Sequence, residues 1–101
     1  MARQPNTDVN GNSWPERTKN LVWNMGKPIP GYSPEMWRSD KCGNVMEKSG
    51  HGNRSSPQGW EIDHINPVSN GGGDGLANLQ PLNWKNNLDK GDKINWTCPK
   101  R

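Results

Sequence analysis

Trp60-Glu61-Ile62-Asp63-His64-Ile65, Leu79-Gln80-Pro81-Leu82 and Asn83-Trp84-Lys85-Asn86-Asn87-Leu88-Asp89-Lys90-Gly91 are the pieces of the chain that decide its fold. The first alternates apolar and polar side chains as a half-buried strand does, and the second is a short extended run. In the third, Asn83 is placed to cap a helix from Trp84 to Lys90, and Gly91 to end it. Asn66 to Gly75, with the run Gly71-Gly72-Gly73, reads as a flexible loop between the strands. The order is strand, long loop, strand, helix. A helix packed across such a hairpin brings Asp63 and His64 at the end of the first strand together with Asn87.

That cluster suits phosphodiester hydrolysis, which needs a base for water, a cation for the developing phosphorane charge, and stabilisation of the leaving oxygen. An imidazole such as His64 takes up a proton near neutral pH. Asp63 and the side-chain oxygen of Asn87 offer hard oxygen donors to a divalent cation.

Asp63-His64-Ile65-Asn66-Pro67-Val68, then Gly71-Gly72-Gly73, then Asn78-Leu79-Gln80-Pro81-Leu82, then Asn87-Leu88-Asp89-Lys90-Gly91-Asp92 resembles the HNH endonuclease motif in its H-N-N variant. Thirteen residues separate His64 from Asn78 and eight separate Asn78 from Asn87. The stretch from Trp37 to Gly59, with Arg38, Asp40, Gly43, Gly52 and Arg54, is similar to what precedes the motif in small stand-alone HNH proteins of phages and bacteria. The resemblance implies an α+β, ββα-metal (His-Me finger) fold. In it Asp63 is a metal ligand, His64 deprotonates the attacking water, Asn78 holds the loop and orients His64, Asn87 is the second metal ligand, and Lys90 sits near a DNA phosphate. At Asn87 many members carry His, so an oxygen-rich site favouring Mg²⁺ or Mn²⁺ is expected here. DNA is the expected partner, with phage packaging (terminase) proteins as a further one. The product, a nick or a double-strand break, depends on whether the protein acts as a monomer or a dimer.

Other residues admit simpler roles. Glu61 shares a strand face with Asp63 and is a candidate to support the metal, or a plain surface carboxylate. Asn86 is the rival of Asn87, since a one-residue shift in helix phase exchanges them. Arg54 and Lys85 join Lys90 as candidate phosphate contacts, with Arg38 and Lys93 behind them, and each is equally a solvated charge. The triple glycine lacks the Lys-Ser/Thr of a phosphate-cradling loop. His51, between two glycines, reads as a turn residue.

Outward from the motif, Ser13-Trp14-Pro15-Glu16 supplies a helix start, and Leu21, Val22 and Met25 give that helix a buried face ending near Asn24. Gly26 to Gly31 breaks it, Ser33-Pro34-Glu35 starts one more helical turn, and Trp37 to Trp60 reads as a small hairpin or meander. Residues 1–12 carry no apolar periodicity and are expected as a mobile tail before a single nuclease domain at 13–101, with its ββα motif at 60–92.

Composition limits the rest. Hydrophobic residues make up 28% of the 101, Phe is absent, and mean hydropathy is −1.17, so aliphatic burial alone is thin. Six Trp compensate as core anchors, with base stacking by an exposed one as the alternative. A net charge of +3 is compatible with a polyanionic partner. No apolar run approaches the roughly 18 residues of a membrane span, no signal peptide is legible, and a cytoplasmic protein is expected. Cys42 and Cys98 are too few for a zinc ribbon and are expected as free thiols, a disulfide being the alternative.

Overall fold

The computed structural model describes residues 3–100; Met1 and Ala2 of the expected tail, and Arg101, lie outside the described residues. Helix α1 spans Glu16–Trp23 and begins after Pro15, whose φ of −62° leads into a helix without a side-chain cap. Strands β1 (Lys27–Pro28), β2 (Trp37–Ser39) and β3 (Val45–Glu47) form an antiparallel meander in that order. The turn expected at Ser33-Pro34-Glu35 is made, with Met36 and Trp37 donating their N–H groups to the Ser33 carbonyl. Strands β4 (Trp60–His64) and β5 (Leu79–Asn83) form a separate antiparallel pair with Trp60 opposite Asn83 and His64 opposite Leu79. Helix α2 (Trp84–Lys90) follows directly, capped by the Asn83 side chain on the Lys85 N–H and ended at Gly91. This is a small α+β fold of the ββα type.

The core collects Trp14, Val22, Trp23, Met46, Trp60, Ile62 and Leu79. On α1 the buried face is Val22 and Trp23, whereas Leu21 and Met25, expected inside, are 37% and 44% exposed. Trp23 displaces them because it buries more area and places its Nε1 on the Pro34 carbonyl at 3.0 Å. Three of the six Trp, at 14, 23 and 60, are buried, and the others are half-buried.

All five residues of β4 are buried, although alternation would leave one face to solvent. Trp60 and Ile62 enter the core, while Glu61 and Asp63 on the opposite face lie beneath α2, where Asn87 and Lys90 meet them. Pro81 fits inside β5 because its partner Ile62 directs its N–H away from the pair, onto Asn6. The loop between the strands is built rather than slack. A Cβ on Gly72 would collide with the Asn66 carbonyl and press on the Asn78 amide, so only glycine fits this close approach.

Two further sequence expectations change. Residues 3–12 lie on the domain: Asn6 Oδ1 accepts from the Ile62 N–H at 2.8 Å, and the Val9 N–H is 3.2 Å from Asp74. Cys42 and Cys98 are joined in a disulfide with their Cα atoms 5.5 Å apart, correcting the expectation of free thiols. The Asp40–Asn44 turn and the irregular segment after α2 approach one another in the fold, and no spacing in the sequence encodes that approach.

Candidate functional site

A cleft of about 270 Å³ opens where the end of β4, the last turn of α2 and the amino-terminal segment converge. Asp63, His64 and Asn87 all line it, so the three residues expected together are brought together. β4 ends there, and that is why both faces of the strand contribute: Asp63 from the side beneath α2, His64 from the side of Trp14, whose ring centre is 5.5 Å away.

His64 is 6% exposed, and its Nε2 lies 2.8 Å from Asp74 Oδ1. An ionised carboxylate only accepts, so the proton of the neutral ring sits on Nε2 and the lone pair on Nδ1. Asp74 follows the triple glycine and was missed in the sequence; a carboxylate in a glycine-rich turn carries no periodic signal. Asn78 does not hold the ring itself. Its Oδ1 accepts from the Asn66 N–H at 2.8 Å, and its Nδ2 donates to the carbonyls of Asn66 and Gly73. It therefore ties the loop that presents Asp74, acting on His64 at one remove.

The Asp63 carboxylate is buried between two donors, Gln80 Nε2 at 2.9 Å and Lys90 Nζ at 3.3 Å. Burial raises its pKa, and the hydrogen bond from Gln80 and the charge of Lys90 only partly offset this. Lys90 was expected at a DNA phosphate. Instead it is 2% exposed, and its ammonium also donates to the His64 carbonyl at 3.0 Å. The phase of α2 turns it inward over β4, so its charge serves the strand and not a surface track.

Glu61 is buried and held in a two-pronged ion pair by Arg54, both contacts at 2.8 Å, which raises the guanidinium pKa further. Asn87 Nδ2 donates to Glu61 at 2.9 Å, so the amide oxygen of Asn87 is the atom left for another partner. Glu61 thus orients Asn87 and also anchors Arg54, which lines the cleft.

Asn86 points elsewhere, into a buried polar cluster with Asp40 at 2.8 Å and Asn44 at 3.0 Å, where Asp40 also accepts from the Asn83 N–H. It fastens α2 to the β2–β3 turn, and the choice of Asn87 over it for the cleft agrees with the helix phase. Lys85 is exposed above the Trp84 ring, outside the cleft. Arg38 is spent on the carbonyls of Pro34 and Gly26, and Lys93 on that of Asp89.

For a divalent cation, the cleft offers a buried carboxylate at Asp63 and, at Asn87, an amide whose nitrogen is already taken. This is a hard-oxygen pair that fits an ion keeping several waters. No group of three or more His, Cys, Asp or Glu gathers as a metal cluster among the described residues.

The profile of the HNH endonuclease family matches residues 40–93, just over half of the chain, and the chain belongs to that family. No curated protein and no solved structure matches it significantly. Membership suggests a nuclease or DNA-binding function and a domain that engages DNA.

Proposed function

We propose that this protein is a metal-dependent endonuclease that hydrolyses phosphodiester bonds in DNA, with His64 as general base. The observation that carries this reading is the convergence of Asp63, His64 and Asn87 on one cleft, with His64 fixed by Asp74. Nδ1 of His64 takes the proton of the attacking water, and the Asp74 carboxylate stabilises the imidazolium that results. Asp63 and Asn87 would hold the cation, Mg²⁺ or Mn²⁺. When bound, it would offset the negative charge that develops on the phosphorane oxygens and on the departing 3′-oxygen. Asn78 and Gly72 keep the loop that sets Asp74 in place, and Glu61 fixes the amide of Asn87.

A single Asp63–His64–Asn87 site cuts one strand at a time, so the protein acting as a monomer nicks a duplex. Incubation with supercoiled plasmid tests this: Mg²⁺ or Mn²⁺ should convert it to the open circle, and chelation should stop the conversion. Plasmid left supercoiled with either metal contradicts the reading.

The Cys42–Cys98 disulfide favours a second reading of where the enzyme works, outside a reducing cytoplasm, as a delivered or secreted nuclease does. Alkylation at the moment the producing cells are lysed distinguishes the two settings, since only reduced cysteines gain mass.

A further inference from the structure

Residues 3–9 carry no periodic pattern in the sequence, yet residues 3–7 form one wall of the cleft, where Arg3 and Asn6 line the same space as Asp63, His64 and Asn87. The wall is built. Asn6 adopts a left-handed backbone with φ of 58°, which asparagine tolerates better than most residues. Its side-chain oxygen accepts from the Ile62 N–H at 2.8 Å and lies 3.1 Å from His51 Nε2, docking the segment on the edge of β4 opposite β5, beside the bridge from His51 to Trp60. Thr7 Oγ1 closes the turn on the Gln4 carbonyl at 2.8 Å, and the Val9 N–H meets the carboxylate of Asp74.

This turn holds one guanidinium. Arg3 Nη2 rests on the carbonyls of Thr7 and Asp8 at 2.8 and 2.6 Å, which fixes the side chain without neutralising it. Arg54, the other arginine of the cleft, is paired with Glu61, and the nearby Lys90 with Asp63. Among the described residues no carboxylate pairs with Arg3, so it brings a positive charge without an ion-pair partner to a cleft that Asp92 also lines. A planar guanidinium with free N–H groups matches phosphate oxygens.

We infer that residues 3–9 are a phosphate-binding arm: docked by Asn6, they place Arg3 against a backbone phosphate of the DNA strand presented to His64. The inference rests on the cleft being the nuclease site, and its test is a binding measurement that needs no catalysis. Affinity for a fluorescent DNA duplex is measured over a series of NaCl concentrations with His64→Ala protein, alone and with Arg3→Ala, Arg3→Lys or Asn6→Ala added. Loss of one phosphate contact should weaken binding several-fold in Arg3→Ala and make the slope of log K against log salt shallower by about 0.9. Arg3→Lys should keep the slope. Asn6→Ala should weaken binding although every charge remains, with a circular dichroism spectrum like that of its parent. An unchanged slope in Arg3→Ala, tighter binding without Arg3, or a parent protein that does not bind the duplex overturns the arm. A parent with the Arg3-dependent slope, beside wild-type protein that leaves plasmid uncut, keeps the arm and rejects the nuclease reading.

Discussion

Asp74 Oδ1 lies 2.8 Å from Nε2 of His64, ten residues away in sequence, and the same carboxylate receives the Val9 N–H. The pair joins the glycine-rich loop, the strand end and the amino-terminal segment at one point. In the proposed mechanism it fixes which ring nitrogen is basic, so Asp74 acts through His64 and does not meet the substrate.

Asp74→Asn should therefore lower kcat for DNA cleavage by roughly 10- to 100-fold with little change in KM, as is typical when a supporting hydrogen-bond partner is lost. Asp74→Glu, which keeps the carboxylate, should recover part of the rate. A KM effect with normal kcat would mean that Asp74 serves binding.

Lys90→Met should destabilise the fold by about 3 kcal/mol in urea unfolding, because it leaves the buried Asp63 carboxylate without its counter-charge, with Gln80 as its remaining donor, and the His64 carbonyl without a donor. Combined with Asp63→Asn, the loss should be clearly less than the sum of the two single losses. Strict additivity would show that the pair is not coupled.

The disulfide closes a loop across 56 positions and fastens the segment after α2 to the turn at Asp40–Asn44. Replacing both cysteines with serine should cost about 2–4 kcal/mol of stability, read as a lower urea midpoint than that of the oxidised wild type. Equal midpoints would show that the link adds nothing.

What the sequence disclosed follows from how local each signal is. β4, β5 and α2 were legible because alternation, the Asn83 cap and the Gly91 stop are written within a few residues. Asp63, His64 and Asn87 follow once the helix lies on the hairpin. Lys90 was misplaced because its burial depends on the phase of α2 over β4, and Leu21 and Met25 because Trp23 outcompeted them for the core. Asp74, Asn6 and the Cys42–Cys98 link were hidden for one reason: each meets its partner across a long span through single contacts, and such contacts leave no period or motif.

His51 gives the fold a pH dependence. Burial lowers its pKa below the usual 6.5, and nearby Lys19 adds to this. The folded state thus favours the neutral ring. The sign follows: its contribution is complete above the unfolded value and is lost as pH falls through the lower folded one. Urea midpoints of wild type should drop as pH is lowered from about 7.5 past the usual imidazole value, and His51→Gln should drop less. Parallel profiles would remove His51 as the cause.

The central claim is that His64 is the base, and the most direct measurement is the single-turnover rate of plasmid nicking at saturating Mg²⁺ by wild type and by His64→Ala. A lost general base predicts a rate about 10²- to 10⁴-fold lower in the variant, with DNA affinity nearly unchanged. Equal rates for the two proteins would contradict the account.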